Sequence, residues 1–129
     1  MITNDIINTI SEKLYTEFYR FKRYDTPTTI VLFDSESEYL LDVLAENIRR
    51  TDSYIRVDAT KAIVVLSHTD NAGAIGLIEK YVSLVDGDDN IRIGYTEVKN
   101  DDTNVKGIIR RIIHALNSDK KTDNGIVYI

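Results

Sequence analysis

The chain has no cysteine, no tryptophan and a single proline in 129 residues. The missing cysteines exclude disulfides, thiolate metal sites and a cysteine nucleophile. Their absence fits a reducing compartment, and the expectation is a cytoplasmic protein. Long apolar runs are missing too: nothing approaches the roughly 18 residues that a membrane span needs. The first residues lack the basic and apolar regions of a signal peptide. Positive charge is not in excess. Sixteen Lys and Arg stand against 21 Asp and Glu, a net charge of -5, which argues against nucleic acid or an acidic membrane surface as partner. No internal repeat, linker or low-complexity stretch breaks the chain. The remaining composition, 43% hydrophobic and 29% charged, is that of one soluble domain over residues 1–129, large enough for a real core.

Apolar spacing predicts nine elements. Ile6, Ile7, Ile10, Leu14, Phe18 and Phe21 recur every three or four residues, so residues 4–23 read as a leading amphipathic helix, within a segment 1–24 closed off by Pro27. Thr29 to Asp34 reads as a buried strand that stops at an acid. Ser35-Glu36-Ser37-Glu38 supplies short caps and early carboxylates for a second helix, whose stripe is Leu40, Leu41, Leu44, Ala45 and Ile48. Ile55 and Val57 alternate with polar neighbours, and Ile63 to Leu66 is continuously apolar, as in a strand covered on both faces. The four residues Asp58-Ala59-Thr60-Lys61 between them suit a hairpin turn. Thr69 to Val85 reads as a third helix, Ile91 to Val98 as a strand, Val105 to Leu116 as a fourth helix and Gly125 to Ile129 as a last strand. The order α-β-α-β-β-α-β-α-β places two β-α-β halves around a hairpin. That is an α+β fold of the ferredoxin-like or palm kind, with a sheet containing antiparallel pairs and helices expected mainly on one face.

Few residues carry an obvious chemistry. His68 and His114 are far apart and have no cysteine beside them, so no zinc site is expected. Ser67, His68 and Asp70 are too close along the chain for a hydrolytic triad, which converges from separate segments. Lys106, Arg110 and Arg111 form a short basic helix face, ordinarily solvated. Eight tyrosines accompany the missing tryptophan, and Tyr15, Tyr19, Tyr24 and Tyr39 cluster near the first helix. Aromatic rings with polar tips suit both protein interfaces and wet core edges.

Several stretches together resemble one family. Glu17-x-x-Arg20-x-x-Arg23-Tyr24-x-x-Pro27 leads into I-V-L-F-Asp34; Arg49-Arg50-Thr51-Asp52-x-x-x-Arg56 approaches the hairpin; Ala62-I-V-V-L-x-x-Thr69 with Ala72 and Ala74 follows it; Ile93-Gly94 and Ala115-Leu116-x-x-x-Lys120 come later. In order and spacing these pieces are similar to a GGDEF domain, the diguanylate cyclase fold of bacterial cyclic di-GMP signalling, in degenerate form. Members of that family join two GTP molecules, one per subunit, using two metal ions. The resemblance puts the family's signature on Asp58, Ala59, Thr60, Lys61 and Ala62. Both glycines that let backbone approach the nucleotide are replaced, and the metal-binding acid becomes Lys61, which reverses the local charge.

The resemblance therefore implies a domain that is not an enzyme, with no catalytic residues and no cofactor, and Mg only where nucleotide binding is retained. Asp34 and Glu36 match the first-strand acids and are the remaining metal candidates. The family's guanine-holding loop has no counterpart, since Glu38 passes almost directly into the Leu40–Ile48 stripe. Arg49-x-x-Asp52 matches the family's product-inhibition site for cyclic di-GMP, and Lys80 falls near a further family arginine. In such a site Arg grips phosphate or guanine with two donors while Asp accepts from guanine N–H groups. The alternative for these residues is structural, Arg49 complementing a helix end and Asp52 capping a turn. The functional expectation is a signalling domain acting through a protein partner or a second copy of itself, then a cyclic di-GMP receptor through Arg49, Asp52 and Lys80. Last comes a divergent nucleotidyl enzyme using Asp34, Glu36 and Lys120.

Overall fold

The computed structural model describes residues 4–24, 26–36, 38–84, 91–99, 104–117 and 126–128. The nine expected elements are present in the expected order: α1 (Asn4–Tyr24), β1 (Thr28–Asp34), α2 (Glu38–Asn47), β2 (Ser53–Arg56), β3 (Lys61–Ser67), α3 (Asn71–Ser83), β4 (Arg92–Glu97), α4 (Val105–Asn117) and β5 (Ile126–Tyr128). The strands form one sheet in the order β2-β3-β1-β4-β5. β3 and β4 run antiparallel to the central β1, β2 runs antiparallel to β3, and β5 runs parallel to β4.

The helices do not collect on one face, and the reason lies in β1 and β3. Both strands are buried on both sides, so alternate residues leave for opposite faces. Ile30 and Leu32 of β1, with Ile63 and Val65 of β3, meet Ile7, Ile10, Leu14 and Phe18 of α1 and Val105, Ile108, Ile109, Ile112 and Leu116 of α4. Val31 and Phe33, with Ala62, Val64 and Leu66, meet Leu40, Leu41 and Leu44 of α2 and Ala74, Ile78 and Tyr81 of α3. A strand apolar on both faces needs a cover on each, so the domain is a three-layer α/β/α stack. The predicted stripe residues Ile6 and Phe21 have side chains outside the described set.

Two local details hold the layers in place. Gly94 lies in β4 beneath α4, where a Cβ would come within 3.1 Å of Ile112 Cγ2 and of Leu116 Cγ. A side chain at this position would require Ile112 and Leu116 to give way by a few tenths of an ångström. At the start of α3, the Asp70 side chain accepts from the Gly73 N–H at 2.9 Å and caps the helix.

Candidate functional site

The chemistry-bearing residues gather in two places. The first is the end of β1 beside the β2–β3 hairpin. The antiparallel register sets Asp34 opposite Lys61 on one side and Arg92 on the other. The Lys61 ammonium is 3.5 Å from Asp58 and 3.9 Å from Asp34, and Arg92 Nη1 is 3.9 Å from the other Asp34 oxygen. The turn is built from its own side chains. Asp58 Oδ1 accepts from the Thr60 N–H at 2.9 Å, and the Val57 N–H donates to the Lys61 carbonyl at 2.9 Å. Arg56 Nε and Nη2 donate to the Asp58 and Ala59 carbonyls at 2.7 and 2.9 Å, clamping the tip from beneath. Burial pushes the Asp58 carboxyl up. The hydrogen bonds from Thr60 and the Lys61 charge outweigh burial and leave its pKa lowered.

This arrangement bears on the divalent ions that the resemblance implies. A hard cation needs several oxygen donors converging on one point. Asp34 instead faces two fixed side-chain cations, Glu36 lies exposed beyond the strand end, and among the described residues no three His, Cys, Asp or Glu groups converge as a metal site. The donor set does not fit a divalent ion while Lys61 occupies the cluster. Lys120 lies outside the described residues.

The second gathering surrounds Arg49. Its Nε donates to Asp52 Oδ2 at 2.7 Å, and its Nη2 reaches Asp52 Oδ1 at 2.8 Å, the Ser67 carbonyl at 3.0 Å and Thr69 Oγ1 at 2.8 Å. The Ser67 N–H donates to Asp52 Oδ1 at 3.1 Å. Thr69 is pinned in turn: its N–H donates to the Pro27 carbonyl and its own carbonyl accepts from the Thr29 hydroxyl. The pair thus ties the α2–β2 connection to the end of β3 and the start of α3. Asp52 has no exposed side-chain surface, whereas the Arg49 side chain is 41% exposed. The hydrogen bond to Asp52 raises the Arg49 pKa despite burial, so the guanidinium is charged throughout. Beneath it the Tyr81 hydroxyl is buried without a hydrogen-bond partner among the described residues. Burial and then the Asp52 charge push the Tyr81 pKa up, while Arg49 opposes them.

The exposed edge of Arg49 borders an open cavity of about 300 Å³ lined also by Pro27, His68, Thr69, Asp70, Gly73 and Leu77. Its guanidinium keeps Nη1 without a protein partner among the described residues. His68 enters this rim with a positive φ of 54°. Lys80 is exposed and lies on the α3 stripe that carries Gly73 and Leu77, one turn beyond Leu77. The structure therefore brings Arg49 and Asp52 together and sets Lys80 on the adjoining helix face. It also enlists Ser67 and Thr69, whose partners Arg49 and Asp52 lie on another element, and sets Tyr81 and His68 beside them.

The fold is of the mixed α/β, palm-like kind, with the β2–β3 hairpin projecting beside the end of the central strand. Comparison narrows this to the GGDEF-domain fold. The chain is similar to the GGDEF domain of DgcB from Caulobacter crescentus in complex with c-di-GMP, with a TM-score of 0.79 and 11% identity over 94% of this chain and 88% of that one. It is similar to the active GGEEF domain of a diguanylate cyclase from Vibrio cholerae, with a TM-score of 0.71 and 18% identity over 91% of this chain and 94% of that one. A third likeness is to the diguanylate cyclase SiaD, in complex with its activator SiaC, from Pseudomonas aeruginosa: TM-score 0.69, 16% identity, 95% of this chain and 57% of that one. No family model matches the chain, and no curated protein does.

These likenesses correct one expectation. The domain was expected not to be an enzyme because its signature residues differ, yet its fold is shared with a domain described as active. An enzyme-type fold is the sounder description, and the altered signature is a statement about five residues. Among the described residues no helix is long and apolar enough to cross a membrane.

Proposed function

We propose that the chain is a signalling domain of the cyclic di-GMP system that recognises cyclic di-GMP on the face carrying Arg49. The observation that carries this reading is the Arg49 fork. Asp52 and the Ser67–Thr69 segment hold it in place while its remaining edge borders the cavity. A planar donor held by a buried carboxylate loses little freedom on gripping a phosphate or a guanine edge. In this arrangement Asp52 is the positioning residue, since both its oxygens are already engaged inside the protein. Lys80 adds positive charge along the same face of α3. The cavity is at the lower end of the range for small-molecule sites, and the ligand spreads over the adjoining surface toward Lys80.

Calorimetric titration tests this, with cyclic di-GMP in one series and Mg-GTP in another, and product formation followed in the second. Cyclic di-GMP binding is expected, weakened at least tenfold in Arg49→Ala. It is also weakened in Lys80→Glu, an exposed change that leaves the fold intact. Absence of heat with cyclic di-GMP in a folded wild-type protein refutes the reading. Conversion of GTP would show that synthesis accompanies recognition.

A further inference from the structure

Strand β2 is an edge of the sheet, with β3 as its neighbour. The Val57 N–H donates to the Lys61 carbonyl at 2.9 Å, so residues 57 and 61 face each other as a hydrogen-bonded pair. Such pairs alternate with unbonded ones along an antiparallel ladder. The register therefore repeats them at Ile55 with Ile63 and at Ser53 with Val65. Tyr54 and Arg56, which lie between, turn both N–H and C=O away from β3 toward the open edge. Their backbone groups find no partner there among the described residues. Beside this edge lies a cavity of about 160 Å³, with Ile10, Ile55 and Val57 as its apolar lining and Asp5, Thr9 and Arg56 around them. Ile55 and Val57 leave β2 on the α1 side and pack against the core beneath that helix. Arg56 Nε and Nη2 are engaged by the hairpin carbonyls, and Nη1 has no partner among the described residues.

We propose that the β2 edge and this cavity form a docking site for an extended segment of a partner protein, which joins the sheet as a further antiparallel strand. The outward backbone groups of Tyr54 and Arg56 select a strand, and the side chains around them select its sequence. Directly opposed residues of an antiparallel pair place their side chains on the same face. The incoming residue opposite Ile55 therefore points to the α1 side, where the apolar cavity takes a branched aliphatic chain. The residue before it stands opposite Arg56 and is acidic, since the exposed guanidinium has an edge to offer. The residue after it stands opposite the half-buried Tyr54, where a β-branched side chain packs well. One position before the acid, the segment returns to the cavity face, and the Asp5 carboxylate on the rim favours a base there. The pattern recognised is base, acid, aliphatic, β-branched. A second copy of β2 does not supply it: Ser53, Tyr54, Ile55 and Arg56 bring no acid to Arg56. Open edges are ordinarily blunted against pairing, and β2 is only four residues long. The contact is accordingly small and the association transient.

The probe is the capped hexapeptide Thr-Lys-Glu-Leu-Val-Thr, titrated into isotope-labelled protein and followed by amide NMR. Shifts are expected at Thr9, Tyr54, Ile55 and Arg56, with slowed amide exchange at Tyr54 and Arg56. In antiparallel addition the peptide's glutamate and valine N–H groups donate to the Arg56 and Tyr54 carbonyls, and its leucine N–H points away. Methylating the glutamate and valine nitrogens should therefore weaken binding at least about tenfold, whereas methylating the leucine nitrogen should be tolerated. Thr9→Arg, an exposed change at the cavity mouth, should weaken binding about tenfold by excluding the leucine, with an unchanged circular dichroism spectrum. Absence of shifts at millimolar peptide overturns the proposal, as does binding that the glutamate and valine methylations leave unchanged. Shifts at Tyr54 and Arg56 that appear with rising protein concentration alone assign the edge to a second copy and overturn it too.

Discussion

Truncating Arg49 to alanine should destabilise the fold by about 3 kcal/mol, more than truncating its partner. The asymmetry follows from where each charge lies. Asp52 has no exposed side-chain surface, so without Arg49 its carboxylate keeps one protein donor, the Ser67 N–H at 3.1 Å. Removing one partner of a buried pair costs about 3–5 kcal/mol, because the other charge is left uncompensated. Water entering through the adjoining cavity moves the value to the low end of that range. Asp52→Ala leaves a guanidinium that is already 41% exposed and can turn to solvent. What remains orphaned is the Ser67 N–H, a loss of about 1–2 kcal/mol. The double variant buries no charge, so its cost should fall below the sum of the single ones by about 2 kcal/mol. Urea unfolding at neutral pH, followed by far-ultraviolet circular dichroism and extrapolated linearly, measures all four corners of the cycle. Additive costs, or an Asp52→Ala penalty larger than that of Arg49→Ala, would refute the account of Asp52 as the buried anchor.

Other predictions rest on separate features. His68 holds a φ of 54°, so His68→Gly should stabilise the protein by about 1 kcal/mol, read as a raised urea midpoint at unchanged slope. Gly94→Ala should cost about 1–3 kcal/mol, since its Cβ would press Ile112 and Leu116 at 3.1 Å, and thermal unfolding should show the drop. The Asp58 pKa is lowered in the folded state. Its contribution is therefore present above the usual carboxylate range and lost as pH falls through the folded value. Asp58→Asn should flatten the acid limb of the stability-versus-pH curve below about pH 4, with little change elsewhere, and an unchanged limb would count against the Thr60 and Lys61 contacts as its cause.

The nine elements were legible because each rests on a local pattern. α1 declares itself through Ile7, Ile10, Leu14 and Phe18, and β3 through the unbroken run Ile63 to Leu66. The same run hinted that β3 is covered on both sides, yet the distribution of helices was expected otherwise. Which face a helix covers depends on the handedness of its connections, and composition does not record that. The Arg49–Asp52 spacing was visible, but not that Asp52 would be consumed internally. That outcome depends on Ser67 and Thr69, 15 and more residues away along the chain. Likewise Lys61 was seen as a reversed charge, while Arg92 on the far side of Asp34 came only from strand register. The five signature residues differ, but the fold that they sit on is shared with a domain described as active, so they do not by themselves make the chain a non-enzyme.

The sequence by itself determined where helices and strands form and which side of each is apolar, because these follow from neighbours three, four or two positions apart. It also supplied the charges and their places along the chain. Tertiary structure alone decided which of those charges meet. Asp34 lies between Lys61 and Arg92, and Arg49 is bound to Asp52 with one edge left for a ligand, because sheet register and layer packing bring together residues that the chain keeps far apart.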